Sequence, residues 1–495
     1  MEARTPLLRS KLYWVAVLYF AEGFPLGIFY EIFPVWFRQQ GVELKDIGVL
    51  SLLGLAWTLK FLWAPAVDHY RHHRWWMATA DLLMGAVMLA FAASAGLGPG
   101  VWVAIAAFTV LSATNDIAID GYTIELLEPR ELGLANGVRI GFYRVGMLAS
   151  GVVLILSDFI AWQGAFVCAA VALAVCAAAC LAAPREKDQP RPATATLAAE
   201  LAGLAARPAH LAIVIGFALA SLWLVDRAAR WSHTVAVGEN GVRLFWPIAI
   251  AIALVVFAVV TAATRGRRAS APSAAATGPM FGALLELAQR PGIVPVLAFI
   301  LTFKLGDAAM GFMVKPFWVD TGFSATEIGL VSVNIGLVLS IAGGLAGGWY
   351  ADRAGIFRAL WVLGLAQAAS NLLYALAAGM IPAAATGHVL TADDRMLMYA
   401  ASALESFTGG LGTAAFLAFL MAIVDPRRAA TEYALLSSVF ALSRSVAGWA
   451  GGFGAQEMGY APYFLLTFFL AFPAYVFLPW VRSVLARGQP GSTAP

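Results

Sequence analysis

Apolar runs long enough to cross a membrane recur along almost the whole chain, separated by short polar segments. The first run follows Arg4, Arg9 and Lys11 and continues past Glu22 to Phe37 without a small-residue cleavage site, so it predicts a retained helix and not a signal peptide. The other runs approach or exceed the roughly 20 residues that one spanning helix needs. They cover residues 45–66, 75–96, 101–125, 133–157, 160–183, 209–225, 244–264, 292–317, 325–350, 357–380, 394–424, 430–454 and 460–482. The pattern predicts an all-α polytopic membrane protein with fourteen spans.

Composition excludes a water-soluble globule. Of 495 residues, 61% are hydrophobic and 12% are charged, whereas a soluble domain is about 45–50% apolar and about 25% charged. Lys and Arg number 32 against 29 Asp and Glu, and these basic residues do not cluster, which argues against a nucleic-acid partner. Cys168, Cys176 and Cys180 share one apolar run, so we expect neither a disulfide framework nor a metal site.

Two linkers rich in Ala, Pro, Ser and Arg divide the apolar runs into blocks. The predicted units are a six-helix bundle over 1–183, a linker over 184–208, two intervening helices over 209–264, a linker over 265–290, a second six-helix bundle over 291–484 and a disordered tail over 485–495. A cytoplasmic N-terminus places about twenty Lys and Arg residues in inside segments and about five in outside loops. Both termini are therefore predicted to lie in the cytoplasm.

The two six-helix blocks repeat one another. Pro-Val-Trp at 34–36 recurs as Pro-Phe-Trp at 316–318, Asp68 recurs as Asp352, and Arg144 recurs as Arg444, at offsets of 282, 284 and 300 residues. Duplicated six-helix halves are typical of transporters that rock around a central site. The chain is therefore predicted to be a secondary transporter.

Charged and amide side chains fall at bilayer depth in both blocks, where an ionised group costs several kcal/mol unless it is paired or lines a wet cavity. By depth, Asp116 of the fourth helix should meet Arg144 of the fifth, and Asp120 should meet Arg139. A carboxylate that exchanges such a partner during rocking can couple proton binding to the motion. We assign proton coupling to the intramembrane carboxylates, which are Glu31, Asp116, Asp120, Asp307 and Glu405.

Alternative roles remain for these groups. The intramembrane charges, Arg144 and Lys304 included, can instead form a buried ion-pair network. Glu22 and Lys315 can be solvated from an aqueous vestibule. Residues near the membrane edges are expected to gate the cytoplasmic side, or simply to face water, and they are Asp68, Arg139, Asp352 and Arg353. A membrane enzyme would need a sizeable catalytic loop, and the loops here are short, so we expect no enzymatic activity.

The chain resembles the AmpG-type muropeptide permeases of the major facilitator superfamily, over both blocks. The resemblance rests on Lys-Phe-Leu-Trp-Ala-Pro at 60–65, Ser-Ala-Thr-Asn-Asp-Ile at 112–117, Tyr-Arg-Val-Gly-Met-Leu at 143–148, Lys-Leu-Gly-Asp at 304–307, Phe-Arg-Ala-Leu at 357–360, Ser-Asn at 370–371 and Ala-Leu-Leu-Ser at 434–437. It implies a major facilitator fold and import of anhydro-muropeptides from periplasm to cytoplasm in symport with protons. It also implies roles in cell-wall recycling and β-lactamase induction at the bacterial inner membrane.

For such a glycopeptide, amides and an aromatic ring suit the sugars and cations suit the acidic peptide stem. The predicted substrate-binding residues are Trp36, Lys60, Asn115, Arg144, Lys304, Asn334, Gln367, Asn371 and Arg444. The expected partners are this glycopeptide, protons and the lipid bilayer; we expect a monomer that uses the proton gradient and no cofactor. Relatives with the same elements carry siderophores or acetyl-CoA, so import of another anionic solute of that kind is the alternative.

Overall fold

The computed structural model describes residues 10–60, 63, 67, 72–94, 100–127, 132–185, 290, 292–423 and 429–487. These residues form twelve helices and no strand, so the all-α prediction is confirmed within this part of the chain. The two helices predicted over 209–264 lie outside the described residues. Six helices precede that stretch and six follow it, and we refer to them as the first half and the second half.

The first half comprises α1 (Lys11–Gln39), α2 (44–60), α3 (His73–Ala93), α4 (Val101–Leu126), α5 (132–159) and α6 (162–182). The second half comprises α7 (Ile293–Asp320), α8 (Ala325–Ala354), α9 (Ile356–Met380), α10 (Ala392–Ile423), α11 (Ala429–Met458) and α12 (Tyr460–Ala486). Successive helices run in opposite directions. The terminal face is the end where α1 begins and α12 ends, and the opposite face is the end where α1 meets α2.

Sequence explains why these helices sit in a bilayer. Nine helical stretches among the described residues are long and apolar enough to cross a membrane. Large apolar side chains on their outer surfaces are exposed, for example Val103 at 72% and Leu345 at 73%. Because exposure of so much apolar surface to water is unfavourable, these outer surfaces are suited to contact with lipid acyl chains.

Close packing fixes α1 against α5 in the first half. A Cβ atom added at Gly23 would lie 2.0 Å from the Tyr143 carbonyl oxygen, and one added at Gly146 would lie 2.3 Å from the Phe20 carbonyl oxygen. Glycine is therefore required at both positions, as is usual where membrane helices approach closely. The result is a rigid α1–α5 pair that carries several of the charged side chains described below.

Three of the helices that depart from α-helical geometry do so beside the site described below. α1 contains a π-helical segment at Ile28–Ile32, and α8 contains one at Ile328–Ile335. α7 is interrupted at Lys304, which separates the segments Ile293–Phe303 and Leu305–Asp320. Local π-helical segments and broken helices are frequent at functional sites of membrane proteins, because they re-aim side chains into a cavity.

Candidate functional site

A cavity of about 310 Å³ lies between the two halves. The helices that line it are α1 and α5 from the first half and α7, α8, α10 and α11 from the second half. Seven charged side chains line it, and they are Glu31, Arg144, Lys304, Asp307, Lys315, Glu405 and Arg444. The sequence had singled out all seven as charges at bilayer depth, and the fold brings them into one chamber.

Two ion pairs organise one wall of the cavity. The Lys315 ammonium lies 2.9 Å from the Glu31 carboxylate across the two halves and donates to the Ser332 hydroxyl at 2.6 Å. Lys304 lies 3.2 Å from Asp307, and its ammonium also donates to the Thr413 hydroxyl at 2.8 Å. The departures from α-helical geometry explain this arrangement, since Glu31 and Ser332 lie within the two π-helical segments and Lys304 lies at the break of α7.

Arg144 and Arg444 face the cavity without an ion-pair partner among the residues that the structure describes. Arg144 comes from α5 and Arg444 from α11, so each half supplies one guanidinium. No carboxylate within the described part of the chain lies within ion-pair distance of either. The Arg444 guanidinium rests over the Tyr30 ring at 4.5 Å from its centroid. Two uncompensated guanidinium groups in one cavity form a favourable site for an anion, because Arg binds carboxylates through two parallel hydrogen bonds.

Glu405 is the cavity carboxyl with no cation at ion-pair distance among the described residues. Its carboxylate accepts a hydrogen bond from the Ser406 hydroxyl at 3.4 Å. With Lys304 and Lys315 paired to Asp307 and Glu31, the lining carries four cations and three carboxyl groups. The chamber is therefore net positive whether or not Glu405 is ionised.

A second cluster of charges lies within the first half. Lys60 of α2 forms an ion pair with Asp116 of α4. Arg139 of α5 lies 2.7 Å from Asp120, which also accepts a hydrogen bond from the Tyr19 hydroxyl at 2.7 Å. The predicted pairing of Asp120 with Arg139 is therefore confirmed. The predicted pairing of Asp116 with Arg144 is wrong, because Lys60 takes that place and Arg144 lies in the cavity.

The cavity is closed toward the opposite face by contacts between the halves. Arg38, at the end of α1, donates to both carboxylate oxygens of Asp320, at the end of α7, at 2.5 and 2.7 Å. The Tyr460 hydroxyl donates to the same carboxylate at 2.7 Å. Nearby, the backbone N–H of Thr326 donates to the Asp158 carboxylate at 2.5 Å. Sequence reasoning missed this set, although Arg38 and Asp320 are separated by the same 282 residues as the repeated tripeptides.

The predicted amide ligands do not line the cavity. Asn115 is buried and donates to the Asp81 carboxylate at 3.0 Å, and Asn371 donates to the Thr467 hydroxyl at 3.1 Å. Gln367 packs against Gly412, and Asn334 packs against Gly151 where α5 meets α8. These four amides lie between helices, and none of them lines the cavity.

Trp36 and Lys60 also lie away from the cavity. Trp36 is 3% exposed and packs edge-on against Phe91 and Phe166 at 5.3 and 5.2 Å, so it belongs to the aromatic core of the first half. The Lys60 ammonium is engaged by Asp116. The structure thus gives Trp36 a packing position and Lys60 an ion-pair position in place of the predicted contact with substrate.

The predicted gating residues are only partly visible. Asp68 lies outside the described residues. Asp352 and Arg353 are exposed where α8 ends at the terminal face, and the Arg353 guanidinium stacks over the Trp349 ring at 4.5 Å from its centroid. Arg139 is held by Asp120 within the first half. A gating role for these residues stays a prediction.

Comparison with known proteins places the chain in a family. The family model of the Major Facilitator Superfamily matches residues 15–391. The chain belongs to the Major Facilitator Superfamily. It is accordingly a multi-pass protein of the bacterial inner membrane and a transporter, and it is not an enzyme.

One curated relative and two solved structures are similar to this chain over most of its length. The anhydromuropeptide permease of Escherichia coli strain K12 is 29% identical over 486 residues, which cover 95% of this chain and 79% of the relative. An auto-inhibited peptide transporter of the POT family matches with a TM-score of 0.65 at 15% identity, covering 98% of each chain. A bacterial homologue of the lysosomal transporter Spinster, in an inward-facing and unoccupied conformation, matches with a TM-score of 0.61 at 13% identity, covering 99% and 100% of the two chains. The two solved structures show that the described part of the chain has the major facilitator fold.

Proposed function

We propose that this chain is a proton-coupled secondary transporter that imports anhydro-muropeptides from the periplasm to the cytoplasm by alternating access. The observation that carries the proposal is the pair of guanidinium groups, Arg144 and Arg444, held in one cavity without a carboxylate partner among the described residues. A peptide stem with free carboxylates supplies the missing anion. The similarity over most of the chain to a permease named for anhydro-muropeptides supports this choice of substrate.

The substrate would be held by both halves at once. One carboxylate of the peptide stem would bind between Arg144 and Arg444, and the sugars would lie along the polar wall that includes Ser332, Ser406 and Thr413. Because a ligand that bridges the halves stabilises their closure around it, such a site couples binding to rocking. The contacts that seal the opposite face support a resting state open toward the terminal face.

The terminal face would be cytoplasmic. The concentration of Lys and Arg in the segments at that face supports both termini in the cytoplasm. With the two helices predicted over 209–264, the chain would span the membrane fourteen times, and the added pair would serve as a spacer between the halves.

Proton coupling would use carboxyl groups of both charge clusters. Glu405 lies in the cavity near Asp307, Lys315 and Lys304, so its charge responds to whatever binds there. Asp116 and Asp120 lie in the cluster of the first half. In the cell, the transporter would act as a monomer. The anhydro-muropeptides that it imports would enter cell-wall recycling and, through it, influence β-lactamase induction.

Uptake by the purified protein in proteoliposomes tests the proposal. With an inwardly directed proton gradient, labelled anhydro-muropeptide should accumulate and a labelled ferric siderophore should not. The matched control is the variant Arg144→Gln with Arg444→Gln, which keeps side chains of similar length and removes the two charges. Accumulation of the siderophore alone, or accumulation of muropeptide by the control variant at the wild-type rate, would contradict the proposal.

A further inference from the structure

Glu22 of α1 is a buried carboxyl with an unsatisfied oxygen. Its side chain lies in the first half, 9% exposed, and its Oε2 atom is buried without a hydrogen-bond partner in the described part of the chain. The Glu22 carboxyl lies against that of Asp116, which is itself the ion-pair partner of Lys60. Glu22 is thus next to a carboxylate and lacks a cation of its own among the described residues.

The charges around Glu22 already balance without it. Within its own helix and the three helices packed around it, the titratable or charged groups that face Glu22 are Tyr19 on α1, Lys60 on α2, Asp116 and Asp120 on α4, and Arg139 and Tyr143 on α5. Two of these are cations and two are carboxylates, joined in the pairs Lys60–Asp116 and Arg139–Asp120. An ionised Glu22 would therefore add an uncompensated negative charge to a buried site, which is costly.

The contact between the two carboxyl groups also requires a proton. An ionised carboxylate has acceptor oxygens only, so two carboxyl groups can hydrogen-bond each other only when one of them is protonated. Asp116 has Lys60 to stabilise its charge, whereas Glu22 has no such partner within the described ranges. Glu22 is therefore the carboxyl of the pair that is better placed to carry a proton.

The position of Glu22 links it to the cavity. The Tyr143 hydroxyl of α5 is close enough to interact electrostatically with Glu22 and Asp116 and also with Arg144 and Arg444. Tyr143 immediately precedes Arg144, and its backbone carbonyl is the atom against which Gly23 of α1 packs. An anion bound at the two arginines is thus one residue along α5 from the Glu22 site.

We propose that, within the charge cluster of the first half, Glu22 is the carboxyl that binds and releases the co-transported proton, with the Asp116–Lys60 pair as its electrostatic support. The inference rests on the proposed proton-coupled function and assigns the proton to a residue outside the predicted coupling set. Each cycle would move one proton from the outer solution onto the Glu22 carboxylate and from there to the cytoplasm, with no covalent change in the protein. Glu22 would bind the proton and would not contact the glycopeptide.

The test separates coupling from binding in proteoliposomes of the full chain with the membrane potential clamped at zero. A one-unit pH gradient supports about tenfold accumulation of substrate per proton. Glu22→Gln, which mimics the protonated carboxyl, should abolish accumulation above equilibrium and should keep counterflow exchange of anhydro-muropeptide, since exchange requires no net proton movement. Glu22→Asp, which retains a carboxyl, should keep accumulation.

Asp81→Asn is the matched control. Asp81 is a second fully buried carboxyl, held on α3 by Asn115 and by the Cys180 thiol, and it lies outside the Glu22 cluster. This variant should accumulate substrate like the wild type. Accumulation by Glu22→Gln at the wild-type level would overturn the inference. It would also be overturned if both Glu22 variants lost counterflow and accumulation alike.

A measurement without substrate separates failure of this inference from failure of the proposed function. Infrared spectra of the purified protein at neutral pH should show the C=O stretching band of protonated carboxyl groups. Glu22→Gln should reduce that band, whichever solute the protein carries. An unchanged band would overturn the assignment of the proton to Glu22, whereas wild-type protein that gives the band but does not transport muropeptide would refute only the proposed substrate.

Discussion

The ion pair between Arg38 and Asp320 should control the population of the state that is closed at the opposite face. The pair joins α1 to α7 through two hydrogen bonds of 2.5 and 2.7 Å, and Tyr460 adds a third to the same carboxylate. Both side chains are about one-fifth exposed, so solvent screens part of their attraction. Asp320→Asn should therefore remove about 1.5 kcal/mol of stabilisation from the closed state.

That loss corresponds to about a tenfold fall in the ratio of closed to open molecules. The change can be measured by double electron–electron resonance between spin labels at Gln40, in the first half, and Met458, in the second half, both exposed near the opposite face. The native cysteines Cys168, Cys176 and Cys180 are first replaced. Molecules open at this face should give a longer distance between the labels than closed molecules. The share of that longer distance should be larger in Asp320→Asn than in the labelled protein without this change.

A double-mutant cycle gives the decisive comparison. Arg38→Gln and Asp320→Asn should each shift the distance distribution, and combining them should add little, because either change alone breaks the pair. The exchanged variant Arg38→Asp with Asp320→Arg should recover part of the closed population, without the bond from Arg38 to the Val42 carbonyl oxygen. Single variants with unchanged distributions, or fully additive shifts, would refute the role of the pair.

Three further predictions follow from the packing and the cavity. Arg144→Gln and Arg444→Gln should each weaken anhydro-muropeptide binding by about tenfold to a hundredfold in calorimetry at fixed ionic strength, since each loses a charged hydrogen bond; equal affinity in either variant would exclude that arginine from the site. Trp36→Phe should transport at the wild-type rate and lower the free energy of unfolding by about 1–3 kcal/mol, because Trp36 is a packing residue; loss of transport in well-folded protein would restore its predicted substrate contact. Gly146→Leu should prevent assembly of the first half, judged by size-exclusion chromatography, because the new side chain would overlap the Phe20 backbone of α1; a monodisperse, thermally stable variant would contradict the packing.

Depth along a helix predicted one of the two ion pairs correctly, and its failure for the other pair has a geometric cause. Counting residues from the membrane edge put Asp120 beside Arg139, as the structure has it. The same count paired Asp116 with Arg144, but Arg139 and Arg144 are five residues apart and so point about 140° away from each other on a helix of 3.6 residues per turn. Depth gives height in the membrane and does not give the face of the helix. Asp116 therefore found Lys60, which approaches from α2.

The internal repeat also predicts which residues of the two halves contact each other. In an arrangement with approximate two-fold symmetry, residues close to the axis meet their own counterparts. Arg38 meets Asp320 at the 282-residue offset, and Tyr30 meets Phe312 at the same offset, with ring centroids 5.5 Å apart. Listing polar residues at that offset would have found the closing pair from sequence.

Amides and tryptophans were harder to assign, because a polar or aromatic residue in an apolar run is compatible with several environments. Asn115 and Asn371 each donate a hydrogen bond to a side chain of a neighbouring helix, which no periodicity reveals. Trp36 fills a space between aromatic rings from α3 and α6. Whether such residues face a cavity depends on the rotation of each helix against its neighbours, and that is set by packing contacts distant in sequence.

The position of a bound ligand tests the central claim most directly. A structure of the protein with anhydro-muropeptide, determined by electron cryo-microscopy in lipid nanodiscs, should show a stem carboxylate between Arg144 and Arg444 in the chamber between the halves. Density for the ligand outside that chamber, or within it but with no acidic group near either arginine, would contradict the account.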